Sequence, residues 1–222
     1  GGAGSDKITV NGTASDAQAT VLGDNGKLTL GNDGVLLNVT SNNFASGAQD
    51  EITLTSGTNT VIGGAGADTI NAGGGRNIVM GDEGQAEFFT NGSVRSIESI
   101  NLGTGEDDQI TLSAGNNSVI AGAGADTIVV GNGTNTVLGD EGRLEVLSET
   151  TVIESMNAAV GGADIISIGS GKNVVIGGAG SDKITVNGTA SDAQATVLGD
   201  NGRLTLGNDG VLLNAMSNNF AS

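Results

Sequence analysis

The chain contains no cysteine, proline, histidine, tryptophan or tyrosine. Without cysteine there is no disulfide framework, and the redox compartment is not written in the sequence. Without cysteine and histidine, thiol nucleophiles, Ser–His–Asp triads and histidine-based zinc sites are excluded. Basic residues are scarce: 8 Lys and Arg stand against 25 Asp and Glu, a net charge of −17. Such a surface repels nucleic acid and anionic membrane. No long apolar run occurs, so no membrane insertion by a spanning helix is predicted, and no signal peptide is seen. Residue 1 falls inside a repeated motif, which predicts a piece of a longer chain.

What is abundant is glycine, 40 of 222 residues, far above the usual ~7%. Its spacing is not that of collagen, which needs glycine at every third position. Hydrophobic residues make up 36%, enough for a packed core of small β-branched side chains and too periodic for a disordered acidic chain. Repeats organise both classes. Residues 177–222 repeat residues 1–46 with three differences: Lys27 against Arg203, Val39 against Ala215 and Thr40 against Met216. The large period thus runs from Gly1 to its recurrence at Gly177. Three diverged sub-repeats fill it, opening at Asp50, Asp108 and Asp164. The expected organisation is one continuous solenoid over 1–222, with part of a sub-repeat at 1–49 and sub-repeats at 50–107, 108–163 and 164–222.

A third period is that of a nonapeptide. Glycine-rich turns close on Asp50, Asn59, Asp68 and Asn77, then on Asp108, Asn117, Asp126 and Asn135, then on Asp164, Asn173 and Asp182. An aliphatic follows each two positions later, as in Ile52, Val61, Ile70 and Val79. A glycine turn plus a short β-branched strand predicts an all-β parallel β-solenoid. Helix is disfavoured by the glycine content and the apolar spacing.

GGAGADTIN (63–71) and GGAGSDKIT (1–9 and 177–185) match the nonapeptide G-G-x-G-x-D-x-U-x, with U a large aliphatic. AGAGADTIV (121–129) departs from it by one Gly→Ala change. On these motifs the chain resembles the RTX (repeats-in-toxin) calcium-binding β-roll family, and in particular the arrays of giant bacterial RTX-type surface and adhesin proteins. The resemblance implies one turn and one strand per nonapeptide, and two nonapeptides per coil. Consecutive turns then lie on opposite edges, one of aspartates and one of asparagines. It also implies Ca²⁺ between neighbouring Asp turns, bound by carboxylates and turn carbonyls. Carried over, the pairs are Asp50 with Asp68, Asp108 with Asp126 and Asp164 with Asp182. Asp6 matches Asp182, and its partner would precede residue 1. The asparagines either form an amide ladder or hold a weaker ion through their carbonyl oxygens.

The turns GDNG (23–26 and 199–202) and GDEG (81–84 and 139–142) carry their acid at the second position rather than the sixth. Asp24, Asp82, Asp140 and Asp200 are therefore candidates to cap a second ion, below Asp6, Asp68, Asp126 and Asp182. The alternative is an Asp–Gly turn whose side chain bonds its own backbone. After each such turn comes a longer alternating excursion, as in 27–43, 85–103 and 143–162. A hairpin is one reading. A wider third coil is the preferred one, because two nonapeptide coils and one slightly longer coil fill a sub-repeat. Three coils per sub-repeat would make each large period about 43 Å tall. The third sub-repeat carries an insertion near 187–195. Phe88 and Phe89 are adjacent, so strand alternation should turn one outward.

An enzyme is disfavoured: the acids recur with the repeat, whereas a catalytic pair would be unique. The expectation is a calcium-binding structural repeat of a large secreted surface, adhesin, filament or extracellular-matrix protein acting as an extended rod. The family resemblance implies type I secretion and folding on calcium outside the cell. Open solenoid ends predict end-to-end self-association, exposed aromatics add lateral packing, and a surface or glycan target could lie outside this segment. The alternative is a solenoid face that binds ice or glycan through threonine ranks (58–60, 67–69, 125–127 and 134–136).

Overall fold

The computed structural model describes residues 1–12, 17–42, 44, 47–188 and 193–217. Its strands fall into coils and excursions along the chain. β1 (Lys7–Val10) and β2 (Gln18–Leu22) form the first coil, and β3 (Gly26–Leu30) and β4 (Leu36–Ser41) the first excursion. β5 (Glu51–Leu54) with β6 (Gly57–Ile62), and β7 (Thr69–Ala72) with β8 (Gly75–Met80), form two coils, and β9 (Gly84–Phe88) and β10 (Val94–Ser99) leave the stack again. The pattern recurs with β11 (Gln109–Leu112), β12 (Gly115–Ile120), β13 (Thr127–Val130) and β14 (Gly133–Leu138), then β15 (Gly142–Val146) and β16 (Thr150–Ser155). It closes with β17 (Ile165–Ile168), β18 (Gly171–Gly178), β19 (Lys183–Val186) and β20 (Gln194–Asp200), then β21 (Gly202–Gly207) and β22 (Leu212–Ser217).

The first strands of the coils form one seven-stranded parallel sheet, β1-β5-β7-β11-β13-β17-β19. The second strands form another, β2-β6-β8-β12-β14-β18-β20. Their registers are strict: Ile52, Ile70, Ile110, Ile128 and Ile166 stack in one row. Val61, Val79, Val119, Val137 and Val175 stack in the row facing it. Together these rows make a fully buried core between the two sheets. Each such side chain contributes roughly 1.5–3 kcal/mol by leaving water. The parallel β-solenoid expected from the nonapeptide period is the architecture of the chain.

The excursions correct the expectation of a third coil. They are antiparallel hairpins, and all four join edge to edge in a third sheet, β22-β21-β16-β15-β10-β9-β4-β3. Gly34, Gly92 and Gly210 take φ of 83°, 78° and 79° at three of the hairpin tips, a left-handed conformation that glycine adopts without strain. The tips close with bonds such as Gly31 N–H to Val35 O at 2.8 Å and Phe89 N–H to Ser93 O at 2.9 Å. One face of this sheet packs Val39, Ala86, Ile97, Ile153 and Leu204 against Ile62, Ile78, Met80, Ile120 and Leu138 of the second parallel sheet. The molecule thus has three layers and two cores. Six coils, not nine, fill each large period, for a height of about 29 Å.

Phe88 packs toward the second core, and Phe89 is turned out at a hairpin tip. The insertion near 187–195 lies in the turn between β19 and β20, and its residues 189–192 fall outside the described residues. The threonines divide between layers. Thr69 and Thr127 sit on the first parallel sheet, and Thr58, Thr60, Thr134 and Thr136 on the second.

Candidate metal edge

Every nonapeptide turn that precedes the first parallel sheet ends in an aspartate, and the stacking of β1, β5, β7, β11, β13, β17 and β19 aligns them. The backbone N–H of Asp6 donates to Oδ1 of Asp50 at 2.7 Å, that of Asp50 to Asp68 at 2.7 Å, and that of Asp68 to Asp108 at 2.7 Å. The series continues from Asp108 to Asp126 and from Asp126 to Asp164, both at 2.8 Å, and from Asp164 to Asp182 at 3.1 Å. The expected isolated pairs are therefore steps of one unbroken ladder. Because the hairpins stand outside the stack, Asp68 meets Asp108 as closely as it meets Asp50. Asp6 for the same reason has its partner within the chain, at Asp50.

The ladder uses only one oxygen of each carboxylate. Oδ2 of Asp50, Asp68, Asp108, Asp126, Asp164 and Asp182 is buried and accepts no hydrogen bond. A buried acceptor left alone is costly, and a buried charge more so. Burial pushes the carboxyls up: Asp164 to about 7, Asp68 to about 8 and Asp126 to about 9. Asp50, Asp108 and Asp182 shift in the same direction, again chiefly through burial. Neighbouring carboxylates add to the rise, as Asp50 does at Asp68 and Asp164 does at Asp126.

The opposite edge is chemically closed. Asn59 Nδ2 donates to Asn77 Oδ1 at 2.8 Å, Asn77 to Asn117 at 2.8 Å, Asn117 to Asn135 at 2.9 Å and Asn135 to Asn173 at 2.9 Å. Each amide also donates to the carbonyl four positions earlier, for example Asn77 to Gly73 at 3.0 Å. This is the amide ladder, and it needs no ion to be satisfied. It stops at Asn173, because the coil with the longer turn places Ala195 in that register.

Of the two expectations for the GDxG aspartates, the bond to their own backbone is not what forms at Asp24, Asp82 or Asp140. Asp24 Oδ2 accepts the N–H of Ala65 at 2.7 Å, Asp82 Oδ2 that of Ala123 at 2.6 Å, and Asp140 Oδ2 that of Ala179. The partner is a later turn on the same edge, not the residue's own backbone. Each reaches forward, past its hairpin, to the next complete nonapeptide turn, and Oδ1 of Asp24 and of Asp82 is buried and accepts no hydrogen bond. Asp200 lies at the exposed end of β20.

Two buried acids escaped the sequence reading. Glu83 and Glu141, the third residues of the GDEG turns, are buried. Glu141 accepts the N–H of Gly103 through Oε1 and the amide of Asn157 through Oε2 at 2.9 Å. The only signal was their change to Asn25 and Asn201 in the other two copies.

The donor set suits a hard cation. It offers carboxylate and carbonyl oxygens and no nitrogen or sulfur ligand, which favours Ca²⁺ over zinc. Among the described residues no three acidic side chains converge into one cluster, so backbone carbonyls must complete any site. They are at hand: where a Cβ would stand on Gly63, the nearest atoms include Asp68 Oδ2 and the Gly81 carbonyl oxygen. Gly81 is placed alike between Asp108 Oδ2 and the Ala121 oxygen, and Gly139 between Asp164 Oδ2 and the Gly177 oxygen. The unpaired oxygens and these glycine-made spaces fit calcium in type and placement.

A regular β-roll with an acidic, oxygen-only edge defines a calcium-binding repeat protein. The family model of the RTX calcium-binding nonapeptide repeat, in four copies, matches residues 54–85, 102–142 and 159–188. These segments are RTX calcium-binding nonapeptide repeats. Repeats of this kind are structural units that bind calcium ions and typically occur in secreted proteins. A comparison with curated proteins found no match.

Proposed function

We propose that the aspartate ladder is where calcium binds, and that the chain is a calcium-stiffened segment of an extended extracellular rod. Asp6, Asp50, Asp68, Asp108, Asp126, Asp164 and Asp182 are the proposed ligands, each ion lying between neighbouring turns and completed by turn carbonyls. The observation that carries this is the row of buried, unpaired Oδ2 atoms. Cations along this edge offset both the burial of the carboxylates and their mutual repulsion, and so couple folding to the ion supply. Solenoid repeats add length unit by unit, each stabilised by its neighbours. That favours a continuous array over 1–222 in a surface, adhesin, filament or matrix protein, without catalytic activity. Secretion of the unfolded chain by a type I route, with folding on calcium outside, fits a chain that needs the ion to fold. Exposed strand edges at the ends of the stack favour end-to-end or lateral self-association.

The test is far-UV circular dichroism during a calcium titration. The β signal should build on micromolar to millimolar calcium and collapse in excess chelator. A chain fully folded in chelator would show that the ion is not structural.

A further inference from the structure

Asp24, Asp82 and Asp140 recur in one placement beside the aspartate ladder. Each carboxylate lies between the two turns that follow its hairpin. Asp82 accepts from Ala123 in the turn 121–126 through Oδ2 and lies against Gly105 in the turn 103–108, its Oδ1 accepting no hydrogen bond. Asp24 accepts from Ala65 in 63–68 through Oδ2 and lies against Gly47 in 47–50, its Oδ1 likewise accepting none. Asp140 accepts from Ala179 in 177–182 and, through Oδ1, from Gly162 in 159–164 at 3.1 Å. The space is made by missing side chains. Where a Cβ would stand on Gly47, Gly105 or Gly161, the nearest atoms belong to Asp24, Asp82 or Asp140 respectively. Gly64, Gly122 and Gly178 meet the same three carboxylates from the other turn.

We propose that Asp24, Asp82 and Asp140 are positioning residues: each cross-links the two Asp-edge turns after its hairpin, so that calcium-binding turns order in pairs. This rests on the reading that the aspartate ladder binds calcium. The hairpin interrupts the covalent path between β8 and β11, and between β14 and β17. A clamp is needed there because the turn at 103–108 or 159–164 lacks the full nonapeptide sequence. One carboxylate seated between both turns, bonded to both at Asp140 and packed into the weaker turn at Asp82, holds the weaker turn in the register of the stronger, and so holds Asp108 on Asp126 and Asp164 on Asp182.

Gly105 makes the test specific. The three atoms nearest to its missing Cβ all belong to Asp82, and its φ is not in the left-handed region. Asp82→Ala should leave the number of calcium ions bound unchanged by isothermal titration calorimetry and weaken their affinity about tenfold. It should also speed amide exchange at Ala123 in saturating calcium. Gly105→Ala should do the same by displacing the carboxylate, and the double variant should be no worse than either single one. Asp82→Asn, which keeps one acceptor oxygen, should retain protection at Ala123. A loss of bound ions in both Asp82 variants would make Asp82 a ligand and overturn the proposal. So would additive effects of Asp82→Ala and Gly105→Ala. The exchange is read at a named amide, that of Ala123, so it tests the clamp even where the chain binds no calcium and the ladder reading fails.

Discussion

The two edges of the solenoid are built from the same backbone and differ by one atom per coil. On the asparagine edge the second side-chain atom is a donor. It finds the next amide and a carbonyl, and the row closes on itself. On the aspartate edge that atom is an acceptor, with only acceptors beside it, and it is left open in six consecutive coils. An edge complete in itself needs only stacking. An edge with buried, unpaired anionic oxygens needs a cation, and its stability becomes a function of the surroundings.

Exchanging the two chemistries breaks the comparison most severely. Asn117→Asp would turn the donor toward Asn135 and Ser113 into an acceptor facing two acceptors, in a buried position. The expected cost is about 3–5 kcal/mol in urea unfolding, with no rescue by added calcium. Asp108→Asn, at the middle of the other ladder, keeps the oxygen that accepts from Asp68 and removes only charge. It should weaken calcium binding by tenfold or more in calorimetry, an effect on the order of 1.4 kcal/mol or above, while costing far less in chelator.

The edges should also part company in pH. Burial raises Asp68, Asp82, Asp126, Asp140 and Asp164 to between about 7 and about 9, against 3.8 unfolded. The folded chain then holds more protons than the unfolded one across that window. Stability from these groups is present below pH 4 and is lost as pH rises through about 7 to 9. In chelator, thermal melts should show a more stable chain at pH 5 than at pH 8. In calcium the order should reverse, because the ion needs ionised carboxylates. The smallest effect belongs to neither edge: Lys7→Ala removes an exposed ion pair with Glu51, should cost about 0–1 kcal/mol, and calibrates the rest.

The edges themselves were legible in the sequence, because a nonapeptide period folded at two nonapeptides per coil sorts Asp50 and Asp68 from Asn59 and Asn77. The hairpins were not. A strand in a hairpin and a strand in a coil both alternate with a period of two, and each excursion is long enough for either. What separates them is the reversal at Gly34, Gly92 and Gly210, whose sequence signals also suit a coil corner. With a third coil assumed, Asp68 and Asp108 stand apart, and the ladder is cut into pairs. The role of Asp82 was out of reach for another reason. Its neighbours, Gly105 and Ala123, are brought to it only by the stacking of coils on either side of an excluded hairpin.

Crystals grown in calcium and measured by anomalous diffraction would test the difference between the edges most directly. The expected result is a file of anomalous peaks between successive turns of the aspartate edge, each about 2.3–2.6 Å from a carboxylate oxygen of the Asp50–Asp182 ladder, with none along Asn59–Asn173. Peaks on the asparagine edge, or an aspartate edge without peaks in saturating calcium, would contradict it.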